Sequence, residues 1–211
     1  IKSLKGQGYK LEAEFEALSL SAINSNLSSR GCLGYHSIQI SKVVDSTNAA
    51  LMRLPPSKNQ LAFFAEYQTA GKGRREDEWI SPPGSGICLS MARCFDNPSS
   101  SFSALGLVVG IAVVSGLEAL GINGLQLKWP NDVVFRGAKL AGILIELRSE
   151  VSGPSFAVIG IGLNMCLGSA SRDRIDKKVI DIRQLSDRNI SRNLVASTLL
   201  ASLDENLRVF E

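Results

Sequence analysis

Several short stretches of this chain carry residue types suited to anionic ligands. In Gly71-Lys72-Gly73-Arg74-Arg75, two glycines free the backbone to turn tightly and point N–H groups at one spot. The three neighbouring cations would draw a phosphate or carboxylate to it. It is not a Walker A loop, since Gly73 stands where Ser or Thr should follow the lysine. Glu76, Asp77 and Glu78 come next and could neutralise it, so a plain solvated basic loop stays open. Lys128-Trp129-Pro130-Asn131-Asp132 places an amide and a carboxylate at a turn after a lysine. That set suits a phosphate and its Mg²⁺, which takes few protein carboxylates, or simply an Asn-Asp turn anchored by a tryptophan. Lys139-Leu140-Ala141-Gly142 follows, and a hairpin would return Lys139 to the side of Asp132. Gly142 within a strand signals close approach by a ligand or by packing. Gly160-Ile161-Gly162-Leu163-Asn164 lacks the third glycine and helix of a dinucleotide fingerprint. Asp45-Ser46-Thr47-Asn48 alone reads as a helix N-cap.

The elements that must position these stretches follow from periodicity and turn chemistry. Leu61 to Tyr67 and Gly86 to Ala92 read as strands, with Gln68 to Gly84 as the loop between them. Phe102 to Gly121 reads as a buried helix, its Gly106 and Gly110 marking close helix packing. Leu125 to Trp129 is a strand ended by Pro130-Asn131-Asp132. Val133-Val134-Phe135, a turn at Arg136-Gly137 and Lys139 to Leu147 form a hairpin, and Phe156 to Leu163 is a further strand. Gly168 to Asn189 reads as loop, and Ser191 caps a helix running to Phe210. Ala13 to Leu33 is polar and weakly patterned. Hairpins with two long helices predict a mixed α/β or α+β domain rather than a regular βαβ series.

Composition bounds the partners. With 211 residues, 45% hydrophobic and 20% charged, the chain is sized and composed as one globular domain, or one with a fragment attached. Lys and Arg number 23 against 20 Asp and Glu, so a net charge of +3 makes no general case for nucleic acid. Cys32, Cys88, Cys94 and Cys166 form no CxxC pair, and His36 is the sole imidazole. Zinc and a Cys-His couple are therefore disfavoured, and the thiols are expected reduced in a cytoplasmic protein. No membrane span and no signal peptide are expected. The chain begins without methionine, which suggests a piece of something longer.

Taken in order, Asp45-Ser46-Thr47-Asn48, Ala65-Glu66-Tyr67-Gln68, Gly71 to Arg75 with Trp79, Lys128 to Asp132, Lys139 to Glu146 and Gly160 to Asn164 strongly resemble the biotin–protein ligase family. The resemblance runs from about Val43 to Met165, and more loosely to Phe210. It implies an α+β core: a mixed, largely antiparallel sheet flanked by helices, of the biotin/lipoate ligase, class II synthetase-like type. It implies residues 1–34 as the remnant of a winged helix-turn-helix domain and linker, 35–211 as the catalytic domain, and a small C-terminal β-barrel domain lying beyond Glu211.

The implied activity is ATP-dependent conversion of biotin to biotinyl-5'-AMP, with Mg²⁺, and transfer of biotin to a lysine of a biotin carboxyl carrier protein. Ser46, Thr47 and Gln68 would meet biotin's ureido head and Gly142 would close over it. Gly71, Lys72, Gly73, Arg74 and Arg75 would order over the adenylate, with Trp79 and Asn48 in the binding set. Lys139 would meet the acyl-phosphate oxygens, Lys128, Asn131 and Asp132 would serve ATP and its Mg²⁺, and Asn164 the adenine nucleotide. Lys139, Arg74 and Asp132 would carry the chemistry, Asp132 also placing the acceptor lysine. The family loop usually reads Gly-Arg-Gly-Arg-Arg-Gly; here Lys72 and Glu76 replace its second and last residues, and lysine lacks arginine's planar fork. A homodimer fits the resemblance, DNA would be read only through a domain not in this chain, and a biotin-responsive repressor fragment or a lipoate or octanoyl transfer enzyme is the alternative.

Overall fold

The computed structural model describes residues 2–4, 8–10, 16–32, 37–57, 60–95, 102–149 and 155–210; His36 and the Lys5-Gly6-Gln7 turn lie outside them. Strands β1 (Lys2–Leu4) and β2 (Gly8–Lys10) pair antiparallel as a two-stranded ribbon. The main sheet has seven strands: β3 (Ser37–Val44), β4 (Leu61–Gln68), β5 (Gly86–Phe95), β6 (Gln126–Lys128), β7 (Asp132–Phe135), β8 (Ala138–Ser149) and β9 (Ser155–Asn164). Their order across the sheet is β3-β4-β5-β9-β8-β7-β6. Only β3 and β4 run parallel; every other neighbouring pair is antiparallel. This is the mixed, largely antiparallel sheet expected.

Alternation along the central strands gives the sheet two different faces. Ile87, Leu89 and Met91 of β5 join Ala157, Ile159, Ile161 and Leu163 of β9 in the main core. Helices α1 (Leu20–Ser29), α3 (Phe102–Glu118) and α6 (Arg192–Phe210) cover that face. The intervening positions face the other way, where Ala92, Phe156 and Val158 pack on Leu51 of the short helix α2 (Thr47–Met52). Gly160, Gly162, Leu144 and Gly142 continue that second face, so little side chain covers it beyond α2.

Helix–helix approach in α3 occurs at Gly116, whose absent Cβ would meet Ser202 and Thr198 of α6 at 3.3 and 3.5 Å. Gly106 and Gly110 instead admit the Pro130 carbonyl and the Leu127 side chain, so the glycine spacing serves the sheet edge rather than a helix partner. None of the described helices is long and apolar enough to cross a membrane.

Two stretches read as irregular contain helices. Within Ala13 to Leu33, Ser19 caps α1, and Ile23 and Leu27, one turn apart, are buried. Within Gly168 to Asn189 lie two single turns, α4 (Ser169–Arg172) and α5 (Ile182–Leu185), the latter with a reciprocal Asp181–Gln184 capping box. Ser191 caps α6 as expected, its hydroxyl accepting from the Leu194 N–H at 3.2 Å.

A buried polar clasp ties the segment before α1 to the strands that carry the second face. Arg192, 5% exposed, pairs with Glu66 at 2.9 Å and donates to the Gly86 carbonyl at 2.9 Å. The nitrogen that pairs with Glu66 also donates to the Glu16 carbonyl at 2.5 Å. The Glu16 carboxylate accepts from Ser191, Asn193 and the Arg192 N–H at 2.6–2.7 Å. Burial alone would raise the Glu16 carboxyl; hydrogen bonds from Ser191, from Asn193 and from the Arg192 and Asn193 backbone outweigh it and hold it below its ordinary value.

Candidate functional site

The open second face is bounded first by the N-terminus of α2. Ser46 is its N-cap and accepts from the Ala49 N–H at 3.4 Å. The Thr47 N–H donates to Gln68 Oε1 at 2.8 Å, and the Thr47 hydroxyl lies 3.1 Å from the same oxygen. Gln68 is the last residue of β4, so strand and helix terminus meet through one carboxamide. Asn48 lies over Gly160, whose Cβ would stand 2.2 Å from Asn48 Oδ1; only glycine admits that side chain. The Asn48 amide donates to the Leu144 carbonyl at 3.2 Å and to Glu146 at 2.9 Å. Asp45, fourth member of this motif, instead makes a bidentate contact with Arg53 at 2.7 and 2.9 Å, which holds its carboxyl far below the usual range.

Loop 71–79 closes the same face. Gly73 N–H donates to the Asp77 carbonyl at 2.6 Å and Trp79 N–H to the Gly71 carbonyl at 2.9 Å, while Lys72 and Glu78 form an antiparallel bridge. Arg75 turns the loop at φ 55°, a left-handed conformation uncommon for residues other than glycine. At its end the Trp79 indole lies on a glycine platform. Gly142 and Gly162 are cross-strand partners. A Cβ on Gly162 would meet the ring at 2.2–2.6 Å, and one on Gly142 would meet it at 3.1 Å. The indole N–H is buried without a partner.

The β7–β8 hairpin supplies the charged end. A register shift between Val133 and Val134 is followed by pairing of Asp132 with Gly142. Lys139 Nζ then lies 2.7 Å from Asp132 Oδ1 and 5.6 Å from the Trp79 ring centroid, so one ammonium faces a carboxylate and an aromatic face. Asn131 donates to the Ile143 carbonyl at 3.0 Å and lies 3.5 Å from the Arg74 guanidinium, linking hairpin and loop. Asn164 donates to the Lys139 and Ile180 carbonyls at 3.3 and 3.2 Å, tying the hairpin to the segment after β9.

These parts enclose a cavity of about 490 Å³, within the range of small-molecule sites. Ser46, Thr47, Asn48, Gln68, Lys72, Gly73, Arg74, Arg75, Trp79, Asn131, Asp132, Lys139, Gly142 and Asn164 all line it. Gly71 and Lys128 do not: Gly71 is spent on the close approach of the Trp79 carbonyl, 2.4 Å from its Cβ position, and Lys128 is exposed on edge strand β6.

A wall the motifs did not announce comes from 174–177, bringing Arg174 and Lys177 to the cavity. Lys177 pairs with Asp77 at 2.5 Å, which lowers the Asp77 carboxyl and raises the Lys177 ammonium. The acid expected to neutralise the basic loop therefore reaches across the mouth instead. Six cationic side chains then face four carboxylates around the cavity, a balance suited to an anionic ligand. Among the described residues no cluster of three or more His, Cys, Asp or Glu could hold a metal ion by itself. Asp132, whose Oδ1 faces the Lys139 ammonium at 2.7 Å, is the kind of carboxylate that an ion arriving on phosphate oxygens needs, one or two such protein ligands sufficing.

Comparison with known proteins points to one family. Residues 40–164 match the model of the Biotin/lipoate A/B protein ligase family. The chain is 34% identical over 210 residues to the bifunctional ligase/repressor BirA of Salmonella typhimurium, covering 99% of this chain and 63% of that protein. It is 35% identical over 181 residues to the biotin–[acetyl-CoA-carboxylase] ligase of Mycobacterium tuberculosis, covering 82% of this chain and 65% of that one. It thus spans under two thirds of the length of these relatives. The biotin protein ligase of Aquifex aeolicus, solved with biotin and ATP, superposes with a TM-score of 0.69 at 27% identity, covering 83% of this chain and 72% of that structure. The chain belongs to the Biotin/lipoate A/B protein ligase family.

Proposed function

We propose that this chain condenses biotin with ATP to biotinyl-5'-AMP and passes the biotinyl group to a lysine of a biotin carboxyl carrier protein. The observation that carries the reading is the placement of Lys139 between Asp132 and Trp79, at the end of a glycine-floored cavity rimmed by cations. The Aquifex aeolicus protein of the same fold was solved with biotin and ATP, and the Mycobacterium tuberculosis relative is named for a carboxylase acceptor.

In this reading Thr47, Gln68 and Ser46 bind the ureido head, and the thioether ring lies by Gly142 and Trp79. The biotin carboxylate attacks the α-phosphate without a protein base, since it is already an anion. Lys139, Arg74 and Arg75 neutralise charge that grows on the phosphate, and Lys72, Gly73, Asn131 and Asn164 align the nucleotide. Mg²⁺ held on the phosphates by Asp132 would add Lewis-acid charge to pyrophosphate departure. In the second half-reaction Asp132 orients the acceptor ammonium and takes a proton from it. The free amine then attacks the anhydride carbonyl, losing its second proton to the departing AMP phosphate. AMP leaves with the bonding electron pair.

Residues 1–10, with the β1–β2 ribbon, are read as the end of a separate N-terminal unit, supported by relatives named ligase/repressor. Helix α1, whose Ile23 and Leu27 lie in the main core, belongs instead to the catalytic unit. The protein would act in the cytoplasm, and a homodimer is tested by sedimentation with and without ligand.

The decisive test is incubation with biotin, ATP and Mg²⁺, with biotinyl-5'-AMP and pyrophosphate read by mass spectrometry. Wild type should form both and Lys139→Ala should lose about 10²-fold or more of the rate. A folded wild type that binds no biotin, or a Lys139→Ala variant as fast as wild type, overturns the reading.

A further inference from the structure

A chain of hydrogen bonds leaves the head-group end of the cavity and runs behind α2. Thr47 and Ser90 hydroxyls lie 2.7 Å apart, Ser90 Oγ lies 2.5 Å from Asn48 Oδ1, and Asn48 Nδ2 reaches Glu146 Oε2 at 2.9 Å. Thr47, Asn48 and Ser90 are 4%, 3% and 0% exposed, so water cannot substitute for a misplaced proton. Ser90 stands opposite Gly160 across β5 and β9, which is why Asn48 can lie flat between them.

Counting protons gives the chain a direction. A carboxylate only accepts, and so does the Leu144 carbonyl, so the Asn48 NH₂ must face Glu146 and Leu144. Its carbonyl oxygen is thereby turned to Ser90, whose single proton is taken at 2.5 Å. The short Thr47–Ser90 contact then needs the Thr47 proton. Thr47 has none left for Gln68 Oε1, 3.1 Å away. Gln68 Oε1 takes the Thr47 N–H on one lone pair, so its second lone pair stays an acceptor. Two acceptor oxygens thus meet at the cavity with no donor between them.

Resting on the reading that biotin's head lies here, we propose that Glu146, Asn48 and Ser90 are positioning residues that set Thr47 and Gln68 as a paired acceptor. That pair selects a ring bearing an N–H donor and rejects a head group without one. Glu146 acts through Asn48, without touching the ligand.

The test compares dissociation constants for biotin and for biotin methylated at its ureido nitrogens, by calorimetry. Wild type should prefer biotin by about tenfold or more. Ser90→Ala and Glu146→Lys should weaken biotin about tenfold and leave the methylated ligand within about twofold, collapsing the ratio. Glu146→Gln, whose carbonyl oxygen still accepts from Asn48, should keep the preference. If Ser90→Ala does not fold, Glu146→Lys at its half-exposed position carries the test. A parallel fall for both ligands, a preference that survives both substitutions, or a Glu146→Gln that loses it refutes the relay while biotin binding stands. A wild type that binds no biotin overturns the relay together with the proposed function.

Discussion

Gly162→Ala probes the platform under Trp79 directly. The new methyl carbon would stand 2.2, 2.6 and 2.6 Å from three indole atoms, and the ring is too stiff to bend around it. Carbon atoms rest at about 3.5–4.0 Å, so the ring must withdraw by roughly 1.5 Å. It is held at its root by the 2.9 Å bond from Trp79 N–H to the Gly71 carbonyl, so withdrawal strains loop 71–79. Overpacking of this kind costs about 1–3 kcal/mol. Because the ring is half-exposed, the strain is relieved by lifting the loop rather than by unfolding the sheet. The closed arrangement would then lose about 5- to 150-fold in population, and biotin affinity with it. The assay is biotin titration alongside tryptophan emission in a Trp129→Phe background, since the chain has only 2 tryptophans. Weaker binding and red-shifted emission are expected. Gly168→Ala is the matched control, because a Cβ there meets nothing within 4 Å. Wild-type affinity with unshifted emission in Gly162→Ala would refute the argument that the indole covers the platform.

Much of the site was legible because it is local. The seven-residue spacing from Asp132 to Lys139 is closed by one hairpin, and the expected lysine–aspartate pair forms at 2.7 Å. The helix start at Ser46 likewise needs only its own neighbours. What stayed hidden depends on pairing between distant segments. Gly160-Ile161-Gly162 is weak as a pattern; its meaning appears once register sets Gly162 against Gly142 and Gly160 under Asn48. Ser90 reads as one polar residue in an apolar strand, and nothing local marks it as a link between Thr47 and Asn48. Asp77 was expected to offset cations two or three residues away. The loop's turn carries it out to Lys177, 100 residues on. Helix α1 was missed although Leu20, Ile23 and Leu27 stand at helical spacing, because the serines and asparagines between them are poor helix formers.

The clasp behind the sheet gives two further tests. The Glu16 carboxyl is lowered in the folded state, so its contribution to stability is present above its ordinary value of 4.5 and is lost as pH falls through the folded value. Wild type should therefore lose melting temperature more steeply below about pH 4.5 than Glu16→Gln, and superimposable acid curves would refute the assignment. Arg192→Met tests the ion pair itself. Arg192 and Glu66 side chains are 6% and 12% exposed, so removing the cation strands a carboxylate next to the core. The Leu18 N–H at 2.5 Å is then the only donor described for it, and it cannot replace a guanidinium. Breaking one side of such a pair costs about 3–5 kcal/mol, on the order of 10 °C in melting temperature for a domain of this size. The cost lies in the stranded charge rather than in the lost attraction. Glu66→Leu added to Arg192→Met should therefore recover part of the loss, as an apolar pair of similar volume tolerates burial. If the double variant melts below Arg192→Met, the carboxylate was not the source of the penalty. The bonds from Arg192 to the Gly86 and Glu16 carbonyls would then carry the clasp, anchoring the segment before α1 to the strand that bears Ser90.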